Sequence, residues 1–501
     1  MPLQRLADAI GLREGEAGRT ARLFGLILLL VLAIALAKAA QQGIFLAACP
    51  LARIADAFIL SAFALAGSSF LASALAARLG PSRLFLGLVA IIAILLASAW
   101  AAFHWSSALD PMVLYVVVEV AVGLLLVQAW SVVTEALDVR SAKRLLPLVG
   151  SATGLGWTIG GFGVRPLAAA LGAPALLLIA AVLLAAAGGL AVAVLRLDLG
   201  GRSARGGKGT TLWAGARAGM SYVARQPLLR ALALLTIVGL LMEQLLDYTL
   251  FAAAKDELVS DEKITAFMGS FSGITGFISL AAPLIAGRVL AHFGSAAATP
   301  SAPAAAAMCA VAFVIHPTFA IAAAARGAYR VLDNGVGSSA RAQMQTAIPP
   351  VRRSQAGALL KGVLAPLFYA GGGGVLKLMS AGADLRWLQV AAVLLGVASV
   401  VIAWWYLRPA YVAALKRSLD EQRLDLDAEG SGIDGEHLLL LADEARSADA
   451  ERAVFAVALL EEAGERSAAL EILRTACAHP PATGPARACA ALGRAAGPDL
   501  L

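Results

Sequence analysis

The sequence predicts an all-α, polytopic membrane protein, with about 12 transmembrane helices in two six-helix halves and a small α-solenoid-like domain at the C-terminus. Three observations predict it. The first is composition: 60% of the 501 residues are hydrophobic and 15% charged, whereas soluble chains are about 45–50% apolar and about 25% charged. The second is clustering. The apolar residues lie between Arg22 and Leu407 in runs of roughly 20, the length that crosses about 30 Å of hydrocarbon. The third is a basic, glycine-rich stretch, 197–228, that divides these runs into two sets of six.

The predicted helices of the first half are 21–46, 52–79, 82–103, 111–136, 147–171 and 173–196. Ala35-Leu36-Ala37 resembles a signal cleavage site, but the apolar stretch starts late and further runs follow, so a retained helix is expected. The second half is expected at 229–254, 263–291, 299–316, 318–345, 355–380 and 385–408. Its fourth run is interrupted by Arg326, Arg330, Asp333 and Arg341. The domains are therefore an N-terminal segment (1–20), a first half (21–196), a basic linker (197–228), a second half (229–408) and a helical domain (409–501).

The net charge of +7 and pI of about 9.4 do not point to nucleic acid, because the basic residues sit between hydrophobic runs. Arg78 and Arg83, Arg140 to Arg144, the linker arginines, Arg352 and Arg353, and Lys416 and Arg417 all fall on one side. The positive-inside rule then puts both termini in the cytoplasm, and a multi-pass protein of the bacterial inner membrane is expected. A weak internal repeat supports the two halves: Arg78-Leu79-Gly80 follows the second run, and Arg288 with Gly294 follows the eighth. Two such halves describe the major-facilitator architecture.

Several function classes are excluded. The four cysteines show no CxxC spacing and no histidine cluster, so neither a disulfide framework nor a metal site is expected. Gly200–Gly209 looks like a phosphate loop, but Gly209 stands where Ser or Thr is needed and no strand precedes it. No enzyme activity and no cofactor are expected. Gly371 to Gly374, inside the eleventh run, marks a kink or a close helix contact. Beyond Gly435 the apolar spacing is near 3.6, as in Ala453, Ala456, Leu459 and Leu460. This suggests a HEAT- or armadillo-like fragment that could bind a protein partner through 435–501.

Charges inside the membrane each cost about 2.5–3.5 kcal/mol on insertion scales, so they face a cavity or a partner. Lys38 lies in the first run and Glu119 in the fourth. Glu243 and Asp247 lie one turn apart in the seventh, Arg326 and Arg330 one turn apart in the tenth, and Lys361 in the eleventh. One reading is structural ion pairing, Lys38 with Glu119 or Asp247 with an arginine. The other is a central cavity of both signs, in which cations hold anionic oxygens and carboxylates compensate them in the empty state.

Two segments carry a more specific signal. Tyr115 to Glu119, Trp130 and Ser141 to Gly150 form one, and Ala266-Phe267-Met268-Gly269-Ser270-Phe271-Ser272-Gly273-Ile274-Thr275-Gly276 the other. With a fainter match from Tyr329 through Pro349 to Gly362, they resemble the ATP/ADP translocases of plastids and intracellular bacteria, whose first segment includes a turn at Ser141–Gly150. The resemblance implies exchange of ATP for ADP, or uptake of a related nucleotide, across the lipid bilayer. It implies a site at Lys38, Glu119 and Asp247, with Arg326 or Arg330 in place of the family's tenth-helix lysine, and with Glu243 and Lys361 as additional candidates. Two alternatives stand beside nucleotide transport: a non-transporting membrane anchor or sensor whose helical repeats bind a protein, and a proton-coupled exporter using Glu119 or Asp247.

Overall fold

The structure is a computed structural model and describes residues 17–105, 109–137, 139–198, 220, 223–258, 260–348, 360, 364–380 and 385–420. Lys361, most of the basic linker and the helical repeats expected at 435–501 lie outside the described residues. The first half comprises α1 (Ala17–Ala48), α2 (Ala52–Leu79), α3 (Pro81–Trp105), α4 (Pro111–Ala136), α5 (Val139–Leu171) and α6 (Ala175–Asp198). In the second half, α7 spans Pro227–Glu257 and α8 Asp261–Phe293. A single turn at Ser295–Ala298 leads into α9 (Ser301–Ile315). Helix α10 runs through Phe319–Leu332, a π-helical turn at Asp333–Gly337, and Ser338–Thr346. Helix α11 is Ala365–Ser380. Helix α12 runs through Leu385–Ile402, a second π turn at Ala403–Leu407, and Arg408–Asp420.

Among the described residues every element is helical, and 10 spans are long and apolar enough to cross a membrane. The two helices outside that set are α10, whose face carries four charges, and α11, whose described part has only 16 residues. The chain is thus an all-α polytopic membrane protein.

The sequence reading misplaces the start of α5. The helix begins at Val139 rather than 147 and absorbs Ser141–Gly150, the segment read as a turn. Pro147 and Pro166 both lie inside it. A transmembrane helix carries an internal proline when its neighbours satisfy the freed carbonyl, so Pro147 is a poor start signal here.

Helix α1 is the most enclosed span, with 67% of its most apolar window buried. It packs on α4, α5 and α6 within its own half and on α8 of the other. The second half centres on α7, which contacts α10, α11 and α12. The turns after α2 and α8 close alike. Gly80 closes α2 at φ 81° and ψ 153°, and Gly294 closes α8 at φ 81° and ψ 154°. Both occupy a positive-φ conformation that glycine adopts without a steric penalty.

The halves meet along α5 and α8, α1 and α8, and α2 and α11. Glycine sets these distances. A Cβ on Gly161 would intrude on the backbone of Gly273, and one on Gly269 would intrude on Val164. Gly373 lies against Ala55 and Ile59 of α2, and Gly372 against Leu241 and Gln244 of α7, so the glycine run serves close contact.

Polar ties between the halves gather where α1 ends and α2 begins. Lys255 of α7 donates to the carbonyls of Leu46 at 2.9 Å and Cys49 at 2.5 Å. Lys377 of α11 pairs with Asp56 of α2 at 2.5 Å. Nearby, Asp110 caps α4 by accepting from the Met112 N–H at 2.9 Å. That bond and the Arg53 guanidinium beside it hold the Asp110 carboxyl below its usual value.

Gly161→Val forces α5 and α8 apart. Overpacking of a close contact costs about 1–3 kcal/mol, so a lower thermal transition and a smaller monodisperse fraction on detergent gel filtration are expected. Gly163→Val, at a position with open space around it, should change neither.

Candidate functional site

A cavity of about 360 Å³ lies between the halves. All five principal candidates, Lys38, Glu119, Asp247, Arg326 and Arg330, line it, as does Glu243. Helices α1 and α4 supply Lys38 and Glu119, which form an ion pair through Lys38 Nζ and Glu119 Oε1. Gln41 Nε2 adds bonds to Glu119 at 3.4 Å and to the Tyr115 carbonyl at 3.2 Å. Lys38 Nζ lies 5.9 Å from the centre of the Tyr115 ring.

The facing wall comes from α7 and α10. Arg326 Nε donates to Asp247 Oδ1 at 2.5 Å, while Nη2 donates to Asp247 Oδ2 at 3.2 Å and to Glu243 Oε1 at 2.8 Å. One guanidinium thus bridges two carboxylates placed on one face of α7 by their four-residue spacing. The Arg326 side chain is only 9% exposed, and its Nη1 is buried with no hydrogen-bond partner. Arg330, one turn further along α10, lies over the Trp157 ring at 5.0 Å and forms no ion pair among the described residues.

The expected structural pairs are therefore present, and they line the expected cavity. The two readings of these charges describe one site. Sequence reasoning missed much of its lining. Trp157 stands between Gly156 and Gly160 of α5, in a glycine-rich stretch whose other aromatic is Phe162, and the contrast in size could have marked it. Tyr369 lines the cavity from α11, where its carbonyl accepts from Gln244 Nε2 at 2.6 Å. Asp333 and Asn334 enter from the π turn, and Asp333 is held by Arg341 at 2.8 and 3.1 Å. Such turns occur often at functional sites. The signal was the cluster of charges that interrupts the tenth run.

No protein-family model and no curated protein matches the sequence. Solved structures do match. A point mutant of the nucleoside transporter NupG aligns at TM-score 0.57 and 13% identity, covering 79% of this chain and 99% of its own. A POT family transporter in complex with 5-aminolevulinic acid aligns at TM-score 0.54 and 13% identity, over 76% and 94% of the two chains. The human organic anion transporter MFSD10 (TETRAN) aligns at 0.53 and 17%, over 78% and 100%. The fold is major-facilitator-like. At these identities the likeness is one of fold. In a major-facilitator-like fold the site lies between the two repeats, which is where this cavity is.

Glu119→Leu strands the Lys38 ammonium inside the bundle. Removing one partner of a buried pair costs about 3–5 kcal/mol. The partial exposure of both side chains, 22% and 21%, favours the low end. A clear drop in the thermal transition of purified protein is expected, with most of it recovered in Lys38→Met/Glu119→Leu.

Proposed function

We propose that this chain is a secondary transporter that carries an anionic, nucleotide-type solute by alternating access, with exchange of ATP and ADP as the specific activity. The observation that carries the reading is the cavity at the junction of the halves, lined by ionisable groups from both. Burying such groups is costly, and an inert anchor gains nothing from aiming them into a shared cavity. The match to structures described as nucleoside and organic anion transporters supports the same class. The resemblance to ATP/ADP translocases supplies the nucleotide, and Arg330, held over the Trp157 ring, suits a phosphate group.

In this reading Lys38, Arg326 and Arg330 hold phosphate oxygens, while Glu119, Glu243 and Asp247 neutralise the cations when the site is empty. With both termini cytoplasmic, the Lys255 and Lys377 ties close the external end and the cavity faces the cytoplasm. The protein sits in the bacterial inner membrane as two six-helix halves, and residues 435–501 form a HEAT-like extension that engages a protein partner.

Counterflow decides the activity. Proteoliposomes loaded with unlabelled ATP should accumulate labelled ADP, and Lys38→Ala should reduce the initial rate at least tenfold while remaining monodisperse. Folded native protein that shows no counterflow would sink the nucleotide reading.

A further inference from the structure

We propose that the groove between α11 and α12 is a binding site for one acyl chain of a membrane phospholipid. The site is separate from the central cavity and does not depend on what that cavity carries.

The groove follows from where glycine lets helices approach. Helix α11 packs on α2 and α7, whereas α12 packs on α7 and α9. Gly373 brings α11 against Ala55 and Ile59 of α2, and a Cβ on Gly396 of α12 would intrude on Ala307 of α9. These two contacts draw α11 and α12 toward different neighbours, and the helices part over α7. A second cavity, of about 390 Å³, lies between them, within the roughly 300–1,000 Å³ of small-molecule sites. Leu241 and Leu245 of α7 form its floor, and α11 and α12 form its walls. Every described residue that lines it is Leu, Val, Met, Ala or Gly, so no side chain in it can hold a water or a polar ligand.

Three observations single out an acyl chain. The first is access. Val375 and Leu394 line the groove and are themselves exposed, and α7 and α12 are long and apolar enough to cross a membrane. The groove therefore opens onto hydrocarbon. The second is depth. Trp387, exposed one turn before Ala391, marks the level of the membrane interface. From Ala391 to Ala398 helix α12 rises ~10 Å, against ~15 Å for one leaflet of a bilayer. The groove runs inward from one face toward the bilayer centre, which is the course of a lipid tail. The third is width. About 390 Å³ spread over ~10 Å leaves a section of about 40 Å², roughly half that of a helix ~10 Å across. A helix from a second copy does not enter it. Left empty, the groove forfeits dispersion contacts along its whole lining. A chain laid in it restores them and supports α11 on a flank that α2 does not hold.

Native mass spectrometry of the full chain, purified in mild detergent and washed to constant lipid content, tests the site. The native chain should retain one phospholipid, as should Val397→Phe, a control on exposed surface outside the lining. Ala391→Phe/Ala398→Phe fills the groove and should lose that phospholipid without a fall in the thermal transition. Long-chain phosphatidylglycerol added to stripped native protein should raise the transition, whereas the dihexanoyl form, with the same headgroup, should not. A native chain that retains no phospholipid, or a filled variant that retains as much, overturns the proposal. So does a transition that rises equally with the dihexanoyl form, which would give the effect to the headgroup. A retained apolar compound of another mass overturns it too, because the groove then serves a different ligand. If the double variant fails to fold, Ala398→Leu, a smaller insertion, takes its place with the same expected loss.

Discussion

The structure depends on how ionised side chains are tolerated in the middle of a bilayer. Lys38, Glu119, Glu243 and Asp247 lie on helices long and apolar enough to cross a membrane, and Arg326 and Arg330 face the same cavity from α10. Left alone, six such groups would cost on the order of 15–20 kcal/mol, more than the roughly 5–15 kcal/mol by which folded proteins are stable. The chain meets this constraint by pairing across helices rather than along them. Lys38 reaches α4, and Arg326 reaches back to α7. Each pair therefore fixes the angle between two helices while it neutralises charge, and the cavity is what remains between the two pairs.

The pairs occupy equivalent places in the two halves, on the first and fourth helix of each, but with the signs exchanged. In the first half the cation is on α1 and the acid on α4, whereas in the second the acids are on α7 and the cation on α10. The turns after α2 and α8 also close alike, on Gly80 and Gly294, with Gly172 after α5 sharing the same positive φ. A second acid at Glu243 and a second cation at Arg330 break the one-to-one pairing.

Much of this was legible in the sequence. Hydrophobic length and loop charge locate the helices, because a membrane span must be long, apolar and internally hydrogen-bonded. Intramembrane charge locates Lys38, Glu119, Asp247 and Arg326, because the energetic penalty leaves few such residues without a role. Trp157 and Tyr369 were not legible, since an aromatic in a transmembrane helix has the same composition whether it faces lipid, a neighbour or a cavity. The start of α5 was missed for a different reason. Pro147 breaks helices in water, but within the bundle the surrounding packing decides. Pairing partners were only half legible: the sequence names the charges, but it does not show that one arginine serves two acids.

The ties at the far end bear on how such a bundle moves. Lys377 and Asp56 are 58% and 41% exposed, and exposed pairs of this kind contribute about 0–1 kcal/mol. Lys255 bonds to carbonyls at the end of α1 that have no partner within the helix. These bonds are replaceable by water, so they add little to the stability of the interface. The glycine contacts between α5 and α8 differ. They bring Gly161 onto the backbone of Gly273, and Leu280, Val164, Phe162 and Trp157 sit over Gly154, Gly269, Gly273 and Gly276, so this seam is close-packed along both helices. The two contacts therefore differ in what separating them costs, one held by exposed charges and the other by packed backbone, and both are set by which residues are small and which charges are exposed.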